Sequence, residues 1–269
     1  MQMKRALAIV LFALVGLPAL AFDQTHVAWS ALLRKHVVVE DGGRASKVDY
    51  AGFARDRAAL REYLGSLSGV TAAEYRKWRQ AERLAFLINA YNAFTVEKIL
   101  TRYPDLQSIR DFGTVFGNPW KDKFFRLLDK PQNLDGIEHD LIREPGVFDE
   151  PRIHFAVNCA SIGCPMLREE AYVAGRLDAQ LEEQVRRFLG DRARNRYANG
   201  ALEVSKIFDW YEKDFTSGYA NIRSVQQFLA PYAALLADRP EDQQAVREGK
   251  LPLKYLDYDW RLNAAKPRG

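Results

Sequence analysis

The sequence predicts a helix-rich α+β fold with a small sheet of short strands. Three observations carry that expectation. Apolar residues recur at helical spacing over long stretches, most fully between residues 81 and 102. Four or five short strand-like runs cluster in the second half of the chain and do not alternate with helices as βαβ units would. Of the 269 residues, 48% are apolar and 12% aromatic, enough to fill the core of a single domain.

The N-terminus carries Lys4-Arg5, an apolar run from Ala6 to Leu17, and Pro18-Ala19-Leu20-Ala21. A basic start, a short apolar stretch and an A-x-A site define a signal peptide over residues 1–21. The apolar run is too short to span a bilayer, which takes roughly 20 residues. Cleavage after Ala21 leaves residues 22–269 as one domain, periplasmic or secreted, with no membrane span and Phe22 at its start.

Residues 24–40 follow a helical stripe through Val27, Leu32, Leu33 and Val37, broken by Asp41-Gly42-Gly43. Residues 51–67 and 71–79 read as two more helices, the second with Thr71 as N-cap and Glu74 three residues on, as in a capping box. The helix over 81–102 is apolar nearly all round, as a central buried helix is. It nevertheless carries Glu82, Asn89 and Asn92 on one face, at about 100° per residue. Buried amides and carboxylates need partners. This face therefore either ties loop backbone to the core or lines a site.

Residues 122–128 read as a strand and 129–131 as a turn, before a short helix over 135–143 that holds Glu138 and His139. Arg152 to Asn158 reads as a strand, 177–189 as an amphipathic helix, and 202–207 as another strand. An aromatic helical turn over 207–215, a helix over 221–236 and an extended segment over 255–263 complete the chain. No repeat or low-complexity segment interrupts it.

The formal charge is +4, and +2 once Lys4 and Arg5 leave with the signal peptide. So small and dispersed an excess, with no nucleic-acid-binding motif, sets nucleic acid aside. No P-loop, GxGxxG, HExxH or GxSxG is present. Nothing in the sequence specifies a cofactor or an oligomeric state.

The chemistry concentrates in Ile153-His154-Phe155-Ala156-Val157-Asn158-Cys159-Ala160-Ser161-Ile162-Gly163-Cys164-Pro165. The segment holds both cysteines and one of the four histidines. A strand leading into a turn of small residues exposes backbone N–H groups and frees side chains to meet a ligand. Three readings compete. Two cysteines in an exported protein suit a Cys159–Cys164 disulfide, although so short a loop contributes only roughly 2 kcal/mol and is redox-sensitive. A metal site with His139 or His154 lacks the usual zinc spacing, so no metal ligand is assigned. A nucleophilic Cys159 needs an activating base, with His154 and His139 as candidates. Glu82, Glu138 or Asn89 could orient the imidazole. Asn89, Asn92, Asn158 and Ser161 are the candidates for binding substrate. The aromatic clusters at 209–215 and 257–260 read as packing.

Leu84-Ala85-Phe86-Leu87-Ile88-Asn89-Ala90-Tyr91-Asn92-Ala93 resembles the central helix of the domain-of-unknown-function family 547 (DUF547), except that Leu87 stands where the family often has Trp. Leu134-Asp135-Gly136-Ile137-Glu138-His139, the 153–165 segment, residues 208–215 and residues 258–263 resemble its further blocks, in the family's order. The resemblance covers roughly residues 80 to 263. It implies a papain-like, cysteine-centred site for a glutathione-type or peptide ligand, with Cys159 as nucleophile, His139 or His154 as base and Glu82 or Glu138 as orienter. Both histidines precede the cysteine, whereas papain-type enzymes run cysteine first, so such a site requires a permuted or convergent arrangement. The expected function is a cysteine-dependent hydrolase or acyl/thiol-transfer enzyme acting on a small peptide-like substrate in the cell envelope. The alternative is a non-catalytic ligand- or protein-binding module with a structural Cys159–Cys164 disulfide.

Overall fold

The computed structural model describes residues 21–113 and 118–266, and the expected signal peptide lies outside them apart from its last residue. Helix α1 spans Val27–His36 and stops where Val37, Val38 and Val39 begin. Branching at Cβ suits these three to a pleated strand. The helix expected to reach residue 40 therefore gives way to strand β1 (Val37–Glu40), which pairs antiparallel with β2 (Ala45–Val48). Between them Asp41, Gly42 and Gly43 all take positive φ, at 50°, 61° and 94°. The helix expected over 51–67 divides into α2 (Tyr50–Arg55) and α3 (Arg57–Gly69) at Asp56. The Asp56 carboxylate meets His36 Nε2 at 2.7 Å and Lys35 Nζ at 2.6 Å. Thr71 caps α4 (Ala72–Tyr75) by accepting from the Glu74 amide, though that helix is shorter than expected.

Helix α5 (Gln80–Leu100) is the centre of the molecule, and every residue from Leu84 to Val96 is buried. A hairpin follows, β3 (Phe125–Leu127) with β4 (Lys130–Gln132), turned by Leu128 and Asp129 at φ of 51° and 67°. That is the left-handed geometry of a two-residue hairpin loop. Gly136–Ile142 forms a π-helical turn. Residues 151–155 form a 3-10 turn where a strand was expected. Pro151 fixes φ at its first position, and the Glu150 side chain caps it by accepting from the Arg152 amide.

The rest builds a second layer. Helix α6 (Leu177–Leu189) precedes a three-stranded sheet in which β5 (Arg196–Ala198) pairs antiparallel with β6 (Ala201–Ser205), and β7 (Leu253–Leu256) pairs parallel with β6. Short helices α7 (Ile207–Trp210), α8 (Glu212–Thr216), α9 (Val225–Leu229), α10 (Ala233–Leu236) and α11 (Pro240–Arg247) lie between β6 and β7. The helix expected over 221–236 is interrupted by a 3-10 turn containing Pro231, as proline's missing N–H dictates. The molecule is thus helix-rich α+β. Its strands are not confined to the second half, since β1 to β4 all precede residue 133.

Two apolar clusters form, one around α5 and one around Phe188, Phe208, Phe215 and Phe228. Helix α6 joins them, with Leu177 and Leu181 in the first and Val185, Phe188 and Leu189 in the second. The 151–155 turn crosses the same seam, with Ile153 in the first cluster and Phe155 in the second. The C-terminal segment after β7 runs back along residues 160–163. Asn263 N donates to Ala160 O at 3.1 Å, Ile162 N to Arg261 O at 2.8 Å and Gly163 N to Asp259 O at 2.8 Å. A Cβ at 163 would stand 3.0 Å from both the Asp259 nitrogen and the Tyr258 ring, so a side chain there would press these neighbours apart by a few tenths of an ångström.

Candidate functional site

A cleft opens along the seam. Cys159, Cys164, His154, His139, Glu138 and Asp135 line it, with Tyr91 from α5 and Trp120, Trp210, Tyr211, Tyr258 and Trp260 as an aromatic wall.

The two cysteines are free thiols with sulfurs 2.6 Å apart. Cys159 Sγ also lies 3.1 Å from Ser161 Oγ and 3.2 Å from the Tyr258 hydroxyl. The hydrogen bond from Cys164 pulls the Cys159 thiol down to about 7. Burial opposes that shift, and Ser161 and Tyr258 reinforce it. Burial, and then the neighbouring Cys159 sulfur, pushes the Cys164 thiol well up. Of the two thiols, Cys159 is therefore the more readily ionised. Ala160, between Cys159 and Ser161, takes φ of 64°, a left-handed conformation costly for a residue with a Cβ.

His154 is buried, and its Nε2 lies 2.7 Å from Asp214 Oδ2. A carboxylate only accepts, so the proton of the neutral ring sits on Nε2 and Nδ1 is left as the acceptor of the ring. Burial lowers the imidazole's proton affinity, partly offset by the bond to Asp214. Burial would raise the Asp214 carboxyl, but the hydrogen bonds from His154 and Arg143 outweigh it and hold the group well below the carboxylate range. Arg143 grips Asp214 with Nε at 2.5 Å from Oδ2 and Nη2 at 3.0 Å from Oδ1. Tyr211 stacks on His154 with ring centres 3.9 Å apart, and its hydroxyl donates to Glu138 Oε1 at 2.7 Å.

The structure divides the residues singled out in the sequence. Cys159, His154, His139 and Glu138 meet in the cleft. Ser161 touches the Cys159 sulfur from behind. His139 accepts from Arg143 at Nδ1 and faces Asp135 with Nε2 at 3.7 Å, so it lacks the carboxylate clamp that His154 has. Glu138 touches neither histidine through a hydrogen bond and acts through Tyr211. Glu82 is not at the site: it caps its own helix, accepting from Arg79 N at 2.8 Å and from the Arg79 guanidinium. It shares the angular face of Asn89 but lies about 10 Å further along the axis, at 1.5 Å per residue.

The three asparagines serve backbone instead of facing the cleft. Asn89 donates to Tyr172 O at 2.8 Å and accepts from Tyr172 N at 3.0 Å. Asn92 donates to Ala156 O at 2.9 Å and accepts from Asn158 N at 2.8 Å. Asn158 donates to Pro165 O at 2.7 Å and accepts from Ala160 N at 3.0 Å. The turn's amides are likewise engaged, with Asn158, Cys159, Ala160, Ile162, Gly163 and Cys164 all donating within the protein. Among the described residues no group of three or more His, Cys, Asp or Glu is placed to hold a metal ion.

Asp214, Arg143, Tyr211 and Tyr258 were not anticipated as site residues. Tyr211, Asp214 and Tyr258 lie in the blocks 208–215 and 258–263, whereas Arg143 lies in the turn after His139 and carried no signal of its own.

A family model described as "Protein of unknown function, DUF547" matches residues 75–189. Neither the curated proteins nor the solved structures give a match to this chain. The matched stretch contains Tyr91, Glu138, His139, His154 and both cysteines, and ends before Asp214 and Tyr258.

Proposed function

We propose that the protein, whose residues 75–189 match the DUF547 family model, is a cysteine-dependent hydrolase or acyl/thiol-transfer enzyme acting on a small peptide-like substrate. The observation that carries this reading is the pairing, in one cleft, of an acidified Cys159 with a His154 held by Asp214. As Cys159 attacks the substrate carbonyl, its thiol proton passes to His154 Nδ1. His154, turned by Asp214 and steadied by Tyr211, then gives that proton to the leaving group and takes one from the water or acceptor that releases the acyl group. The chain order is histidine, cysteine, aspartate, unlike papain's. The cleft is walled by aromatic rings and carries the carboxylates Asp135 and Glu138 but no Lys or Arg among its described lining residues. Such a wall suits an apolar or ammonium-bearing part of a peptide better than an anionic one.

The setting we infer is the cell envelope, from the Lys4-Arg5, apolar run and Ala19-Leu20-Ala21 pattern. Phe22, the expected first residue after cleavage, packs against Trp78 and Phe86 with ring centres 5.6 and 5.3 Å away. Mass analysis of the mature protein is expected to give Phe22 at the N-terminus, and an intact leader would contradict export by cleavage.

A second reading, a binding module with a Cys159–Cys164 disulfide, draws on the 2.6 Å sulfur separation. Alkylation of the native protein across pH, before and after reduction, with adducts mapped, separates the two. Modification of Cys159 without prior reduction, with a midpoint near pH 7 and sparing of Cys164, supports the enzyme. If both cysteines stay unreactive in the native protein and are labelled only after reduction, the binding module stands.

A further inference from the structure

The Cys159–Cys164 pair has features that an acyl-transfer nucleophile does not need. The two sulfurs lie side by side in the cleft, within reach of a disulfide. The backbone holds them there. Asn158 Nδ2 donates to Pro165 O at 2.7 Å, tying the residue before the first cysteine to the residue after the second. Cys159 N donates to Cys164 Sγ at 2.9 Å. Arg194 grips the turn from outside through the carbonyl of Cys164. The two thiols are also unequal: Cys159 is half-buried on the cleft, and Cys164 is buried beneath it.

We propose that Cys159 and Cys164 form a thiol–disulfide exchange couple, in which Cys159 attacks a small-molecule disulfide entering the cleft and Cys164 resolves the product. The proposal rests on the reading of Cys159 as the nucleophile of the cleft. In the first step Cys159 thiolate attacks one sulfur of R–S–S–R′, the S–S bond breaks, and R′S⁻ leaves to take a proton from water. Cys159 is then joined to R through a mixed disulfide. Burial still favours the Cys164 thiol, but the contribution of the Cys159 sulfur to holding its proton is gone. Cys164 attacks Cys159 Sγ, the bond to R breaks, and the Cys164 proton leaves with R as RSH. The balance is one substrate disulfide reduced to two thiols and one Cys159–Cys164 disulfide formed. A low-pKa thiol poised beside a resolving cysteine is the arrangement such chemistry requires. Asn158 is the positioning residue for the second step.

The test uses the fully reduced chain and hydroxyethyl disulfide, read by intact mass, peptide mapping and released thiol. Wild type is expected to end with both cysteines in one internal disulfide and two thiols released per chain. C164S is expected to stop at a stable adduct on Cys159 with one thiol released. N158A is expected to accumulate that adduct transiently, because its first step is intact and its second is slowed. A wild-type chain that keeps the adduct on Cys159 overturns the couple and leaves the nucleophile standing. No reaction at either cysteine overturns both. The wild-type result stands without the variants, so a variant that fails to fold does not decide the matter.

Discussion

Cys159 owes its acidity to neighbours that share hydrogen bonds with its sulfur, Cys164 first and then Ser161 and Tyr258. No histidine is among these causes, which divides the labour at the site: the turn eases loss of the thiol proton, and His154 is the group that takes and returns it. Tyr258→Phe is therefore expected to raise the alkylation midpoint of Cys159 from near 7 towards the 8.5 of an ordinary thiol. An unchanged midpoint would show that the hydroxyl does not stabilise the thiolate. Asp214→Asn removes the only-accepting partner of His154 Nε2 and frees the ring to adopt the wrong tautomer. It is expected to lower acyl turnover by about 100-fold or more while Cys159 alkylation persists. Turnover equal to wild type in steady-state kinetics would remove Asp214 from the mechanism.

Helix α5 reaches the site without contributing an acid or base to it. Its Asn89 and Asn92 each give and receive one hydrogen bond with backbone of the loops that cover the helix, at Tyr172, Ala156 and Asn158. Asn89→Leu leaves the Tyr172 N–H and C=O unpaired in the core and is expected to cost about 1–3 kcal/mol in denaturant unfolding. A midpoint equal to wild type would mean that the loop finds other partners. The start of α1 has its own pH dependence. Burial lowers the His26 pKa to about 4, its Nδ1 meeting the Tyr63 hydroxyl at 2.7 Å and its Nε2 unpartnered. The folded protein holds this ring neutral, so the unfolded chain takes up the proton first as pH falls. The stability it contributes is complete above about 6.5 and is lost towards about 4, on the order of 3 kcal/mol. Thermal melts should fall over that window in wild type and fall less in His26→Asn, which tolerates the left-handed backbone at this position. Equal slopes would contradict the assignment. Elements whose signal is local were legible in the sequence: α5 and α6 by their apolar spacing, α4 by its Thr71 cap. Elements decided by competition were not. Val37 to Val39 continue a helical stripe yet pair with β2, and Pro151 turns a strand-like run into a 3-10 turn.

At the scale of the whole molecule, the cleft exists because two apolar cores meet along α6 and the 151–155 turn, and the C-terminal segment closes over the junction. The half of the site that is contiguous, residues 154–164, could be read from composition alone. The other half could not, since Asp214 meets His154 across 60 residues and Tyr258 meets Cys159 across 99. Glu82 shows the converse: the right angular face of a helix at the wrong height along it. The central claim, that Cys159 carries an acyl group while His154 releases it, is tested most directly by trapping. Reduced protein is mixed with an activated ester of a small N-acyl amino acid, quenched in acid at intervals, and mapped by mass. The account predicts one acyl group per chain on Cys159, transient in wild type, long-lived in His154→Ala and absent in Cys159→Ser. Acylation at another residue, or equal release with and without His154, would contradict it.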